Sequence, residues 1–234
     1  MKNIGNPSRR HTAFSLIELI IVIAIIGLLA AMIFPIAGAV NRHKQIGTAQ
    51  TQLQALSTAI ESYKSKLGFY PPDNPNNAVS NQLYFELMGT TNNGVGTTKQ
   101  PTLWVATDGS AQIGTTTTPK TINDYYGVSA FANSSTRARS DDNGSAAGTF
   151  INNLKGNEIG LIDSADPNSK ILVCSVTWPL DRGAILSANP GMNPWRYISS
   201  HPTNNTGSYD LWVDLIIAGK TNRVCNWSTQ PIKL

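Results

Sequence analysis

The chain has 234 residues, enough for one sizeable domain with an appended segment or for two small domains. Its +4 formal charge is misleading: without Lys2, Arg9 and Arg10 the basic count falls from 18 to 15, against 14 acids. No basic patch with interleaved aromatics remains to follow a phosphate backbone, which argues against nucleic acid, and the 14% charged content with many Gly, Pro, Asn, Ser and Thr after residue 70 fits a loop-rich extracytoplasmic domain.

Residues 1–12 are polar and basic, and from Leu19 to Ala39 there are 21 positions without a charge. As a helix that run spans about 30 Å, the thickness of a bilayer core. It is too long for an ordinary secretory signal, and no small-residue cleavage site follows it. Arg42, His43 and Lys44 make the second flank basic too, so charge bias orients the segment weakly. The long polar carboxy-terminal portion favours export of that side. Glu18 lies at the head of the run, with no Lys, Arg or His inside the run to pair with it. A lone carboxylate in hydrocarbon costs several kcal/mol. Pro35 predicts a local bend, and Gly27 permits close approach of another helix. Neither has an obvious role in a lone anchor.

The stretch "AFSLIELIIVIAIIGLLAAMIFP" (residues 13–35) resembles the N-terminal segment of type IV pilins and type II secretion pseudopilins. The resemblance implies cleavage by a prepilin peptidase between Ala13 and Phe14, with Ala13 standing where Gly is usual, and N-methylation of Phe14. Glu18, Gly27 and Pro35 become the fifth, fourteenth and twenty-second mature residues and match the family pattern. A leader over 1–13 and a transmembrane and polymerisation helix over 14–40 follow from it. So does a precursor in the inner membrane, with a cytoplasmic N-terminus and a periplasmic domain, that later enters a periplasmic filament. The implied partners are further copies in a homopolymer, the peptidase, an inner-membrane assembly platform and minor pseudopilins. Cleavage leaves the Phe14 amine one turn from Glu18, so Glu18 is expected to stay unpaired until a neighbour's amine reaches it in the filament. A signal anchor with a stray acid is the alternative.

After Lys44, Ile46, Ala49, Leu53, Leu56, Ile60, Tyr63 and Leu67 recur at steps of three and four, one apolar stripe on a continuing helix. The stalk helix is expected over 41–68, with Gly68 as its stop and Pro71-Pro72 barring extension. The stripe is barely three heptads long and lacks complementary flanking charges, so it favours packing on the protein's own domain over a coiled coil. The "GFYPP" turn resembles the place where pseudopilins leave the helix.

Residues 69–234 form the expected globular part. "LWVA" (103–106) and "ILVCSVTW" (171–178) suit buried strands. In "YDLWVDLII" (209–217) apolar residues alternate with Asp210, Trp212 and Asp214, the pattern of an antiparallel strand covered on one face. Residues 74–81, 90–100, 115–118 and 134–148 read as polar surface loops. Cys174 and Cys225 lack metal-site spacing; an exported domain permits a disulfide between them, and two buried thiols are the alternative. The predicted class is α+β: a long N-terminal transmembrane and stalk helix packed on a small antiparallel β-sheet domain, as in pilins.

"NPWRYISS" (193–200) and "YDLWVDLIIAGKTNRVCNW" (209–227) resemble the ending of the type II secretion major pseudopilin, with Asn193-Pro194-Trp195 where many members have Asp-Pro-Trp. In that family the last loop commonly holds calcium. Between Ile216 and Trp227 this chain has no acid, leaving only Asp210 and Asp214 as weak candidates, so no cofactor is expected. The Gly219–Asn222 turn is expected to be held by its own backbone bonds and by Asn222.

Catalysis finds little support. His201 lies in a polar loop, Asp141-Asp142 in a Ser/Gly-rich loop, and Asp163 and Asp166 read as turn formers. Trp178, Trp195, Trp212 and Trp227 suit core and turn anchors; a membrane-anchored carbohydrate-binding or hydrolytic domain using them is the alternative from another class. The reading is a non-enzymatic subunit of a type II secretion pseudopilus, with a type IV pilus or competence pilin as the nearer alternative.

Overall fold

The computed structural model of the chain describes residues 15–92, 102–114, 120–136 and 146–234; for 32–37 and 39 it describes the backbone alone. The chain divides into two compact units, one ending at Lys44 and one running from Gln45 to Leu234. Helix α1 (Leu16–Leu67) contributes to both.

In the first unit the described large apolar side chains of α1 are all exposed, from Leu16 at 77% to Val22 at 45%. The exposure is on every side of the helix, because the run is apolar all round and has no polar face to turn outward.

In the second unit α1 buries the expected stripe. Ala49, Leu56, Ile60 and Tyr63 join the core, and Ile46, Leu53 and Leu67 pack against it. The helix stops where expected: Gly68 has φ +88° and donates its N–H to the Lys64 carbonyl at 2.8 Å.

The remainder is α+β, with two short helices, α2 (Leu83–Met88) and α3 (Ile122–Tyr126). Strands β1 (Thr90–Asn92), β2 (Leu103–Ala106), β3 (Gln112–Gly114) and β4 (Ser134–Thr136) form a sheet of order β3-β2-β1-β4. Strands β5 (Ile159–Leu161), β6 (Lys170–Cys174) and β7 (Asn193–Pro194) form a second. The third contains β8 (Arg196–Ile198), β9 (Asp210–Ile217), β10 (Lys220–Cys225) and β11 (Ile232–Lys233), all antiparallel in the order β8-β9-β10-β11.

Several expectations need correction. The domain is not one antiparallel sheet: among the described residues there are three sheets, and β1 pairs with β4 in parallel. The polar stretches beginning at Thr90 and Ser134 open with these strands; 93–101, 115–119 and 137–145 lie outside the described residues. Residues 74–81 are not a surface loop throughout, since Asn74, Ser80 and Asn81 are buried. Amide side chains do there what a strand partner does elsewhere. Asn74 donates to the Ser80 carbonyl at 2.7 Å, and Asn81 donates to the Trp195 carbonyl at 2.9 Å. The next residue, Gln82, donates to the Asp73 carbonyl at 3.1 Å.

Glu86 on α2 is fully buried. Its carboxylate accepts from the Tyr63 hydroxyl at 2.8 Å and from the N–H groups of Ala132 and Asn133 at 2.8 and 2.9 Å. Burial raises its pKa; the three donors oppose that rise without cancelling it.

Candidate functional site: the head of the N-terminal helix

The sequence "SLIE" before the apolar run sets the local geometry. The Ser15 N–H donates to the Glu18 carboxylate at 2.8 Å, and the Glu18 N–H donates to the Ser15 hydroxyl at 3.3 Å. This is a reciprocal capping box, a Ser at the N-cap and a Glu three residues on. The anion also lies at the positive end of the helix macrodipole. Glu18 therefore has hydrogen-bond partners in the single chain, while no cation neutralises it among the described residues. The S-x-x-E spacing announces the box in the sequence; attention to the charge alone missed it.

A Cβ added to Gly27 meets nothing within 4 Å. A helical glycine costs about 1 kcal/mol relative to alanine, and no contact within this unit offsets that. Pro35 falls within α1, whose backbone runs on as helix through it; its side chain lies outside the described residues, as do Ala13, Phe14 and the leader. Among the described residues no helix is long and apolar enough to cross a membrane. Residues 16–31 rise about 24 Å, short of the ~30 Å core.

The other sequence candidates separate. Cys174 and Cys225 are free, buried thiols on strands of different sheets, so the permitted disulfide is not formed. Asp210 is buried rather than outward-facing, because the 203–205 loop folds over it. It accepts from the N–H groups of Thr203, Asn204 and Asn205 at 2.8–2.9 Å and from the Asn204 amide at 2.9 Å. Asp214 is held by Arg223 through two bonds of 2.8 and 3.0 Å. A hard cation needs several free oxygens with carboxylates among them. These two carboxylates are committed to protein donors, so they do not fit a calcium site. No group of three or more His, Cys, Asp and Glu capable of holding a metal occurs among the described residues.

His201 is exposed in its loop, while Asp141 and Asp142 lie outside the described residues. Asp163 and Asp166 organise a turn, accepting from the Ala165 and Asn168 N–H groups at 3.0 and 2.9 Å. Trp195 is buried, and Trp212 and Trp227 meet edge-on with centroids 5.8 Å apart. Trp178 donates to the Gly183 carbonyl at 2.8 Å. Asn226 has a role that sequence reasoning missed: it accepts from the Leu211 N–H and donates to the Tyr209 carbonyl, serving the start of β9 as a strand partner would.

Residues 8–34 match the family model described as the prokaryotic N-terminal methylation motif, the signal of type IV pilin-like precursors processed by a prepilin peptidase. No curated protein and no solved structure shows significant similarity to the chain.

Proposed function

We propose that the chain is a structural subunit of a type II secretion pseudopilus. It is cut between Ala13 and Phe14, methylated on Phe14, and polymerised through its N-terminal helix. One observation carries this reading: the described apolar run of the first unit is a helix exposed on all sides and capped by Ser15 and Glu18, and it begins within the matched methylation motif. Such a surface does not persist in water. Before assembly the bilayer covers it, with the N-terminus cytoplasmic and the C-terminal unit periplasmic; afterwards the helices of neighbouring copies do. Gly27 supplies the flat spot for close helix contact, and Pro35 the local adjustment of the helix. Glu18 accepts the methylated amine of a neighbour's Phe14 and so sets the stagger between subunits.

The choice of secretion over a pilus rests on the C-terminal pattern, Asn193-Pro194-Trp195 followed by the β9–β10 hairpin and Asn226-Trp227. The assembly platform and minor pseudopilins are the partners this implies. Mass spectrometry of the mature chain is expected to give N-methyl-Phe14 at its start; an intact Met1 overturns the processing. Deleting the gene is expected to trap exoproteins in the periplasm. Loss of surface fibres with normal secretion would make the subunit a pilin instead.

A further inference from the structure

A groove of about 780 Å³ runs through the second unit, between one face of α1 and the C-terminal segment. Its helix wall is Gln50, Leu53, Gln54, Ser57 and Glu61. Gln50, Gln54, Ser57 and Glu61 fall three or four residues apart, with Leu53 beside them, and make one face about 16 Å long. The facing wall runs from Trp227 to Pro231, and the buried Tyr209 also lines the groove. The volume lies within the range of about 300–1,000 Å³ typical of small-molecule sites.

Three properties of this lining select a ligand class. Among the described residues Glu61 is its only formally charged side chain and no Lys or Arg lines it, so phosphates and carboxylates find no counter-charge there. The remaining polar lining is amides and hydroxyls, groups that both donate and accept. Some already serve the fold: Asn226 holds β9, and Ser208 donates to the Tyr70 hydroxyl at 3.0 Å. Gln54, Thr229 and Gln230 make no side-chain hydrogen bond among the described residues and remain available. The third property is an aromatic ring at the wall: Trp227 is half-buried and fixed against Trp212 at an interplanar angle of 65°. An aromatic fixed on one side contributes contact area at small entropic cost.

A ligand matching all three is uncharged, carries hydroxyls that donate and accept in turn, and has flat C–H faces to lie on an indole. We propose that this groove binds a neutral oligosaccharide, with Trp227 as the stacking platform and Gln54 and Gln230 as its hydrogen-bonding walls. The proposal is independent of the polymerisation reading, which concerns the first unit.

The test uses the full-length chain in detergent micelles, titrated by calorimetry with cellohexaose and separately with maltohexaose. Indole N–H resonances locate the site. Saturable binding of at least one sugar is expected, with a shift at Trp227 and none at Trp178. Trp227→Ala should weaken binding at least about tenfold. Gln54→Ala, on an exposed helix face where folding is not at stake, should weaken it several-fold. No saturable binding of either sugar, or binding unchanged in both variants, overturns the proposal and leaves the groove a crevice between helix and tail.

Discussion

Ser15 and Glu18 hold each other: the Ser15 N–H reaches the Glu18 carboxylate at 2.8 Å, and the Ser15 hydroxyl receives the Glu18 N–H at 3.3 Å. The acid therefore has two separable properties, a cap acceptor and a negative charge. Glu18→Gln keeps the acceptor, since Gln also completes a capping box, and removes the charge. Glu18→Ala removes both. If charge sets the stagger in the polymer, both variants insert in the membrane and neither forms ordered filaments. Electron microscopy of sheared filaments decides; normal filaments from Glu18→Gln would leave only the capping role.

The β9–β10 hairpin turns through Ala218 and Gly219, with φ +51° and +76°. Positive φ at both central residues is the type I′ pattern that matches strand twist. The turn is therefore Ala218-Gly219 and not Gly219–Asn222 as expected: Lys220 to Asn222 already belong to β10, where the Asn222 amide donates to the Lys220 carbonyl at 3.0 Å. An alanine in the left-handed region costs about 1 kcal/mol. Ala218→Asn is expected to stabilise the protein by roughly 0.5–1 kcal/mol, and Gly219→Ala to destabilise it by about as much. Thermal melts of the two variants should move in opposite directions from the parent.

How much of this was legible in the sequence depended on which force shaped each segment. The stripe from Ile46 to Leu67 was readable because burial there follows the helical period, and Gly68 marked the stop. β9 was readable by alternation, yet its polar face was misplaced, because a loop six residues away folds back onto Asp210. The burial of Asn74 and of Ser80 to Gln82 was not readable. Its burial depends on amide bonds to distant carbonyls such as that of Trp195, and composition alone assigns such residues to the surface. Within the candidate site, the apolar run was plain, while the Ser15–Glu18 box was present as a motif and overlooked.

Cys174 and Cys225 are both buried and unbonded, and burial raises the pKa of each thiol, to about 11 for Cys174. Both are thus poor nucleophiles in the native state. Alkylation with iodoacetamide at neutral pH should label neither residue in folded protein and both after unfolding without reductant. A mass showing a bridge under those conditions would contradict the buried-thiol arrangement.

Glu86 ties α1 to the strand entry at Ala132–Asn133 with no cation bonded to it among the described residues, and this makes stability depend on pH. Among the described residues its titratable neighbours are tyrosines: Tyr63, bonded at 2.8 Å, and Tyr197, which shares its electrostatic environment. Because the folded-state pKa lies above the ordinary 4.5, the native fold binds this proton more tightly than the unfolded chain does. The contribution is full below that ordinary value and is lost as pH rises through the raised folded value. Glu86→Gln removes the titration while keeping most of the volume, at a cost of about 1–3 kcal/mol because its amide meets N–H donors. The stability of the parent minus that of Glu86→Gln should therefore shrink as pH rises above the ordinary value of 4.5. Thermal melts of both proteins across that range measure the difference; a constant gap would show that the buried carboxyl does not change its protonation there.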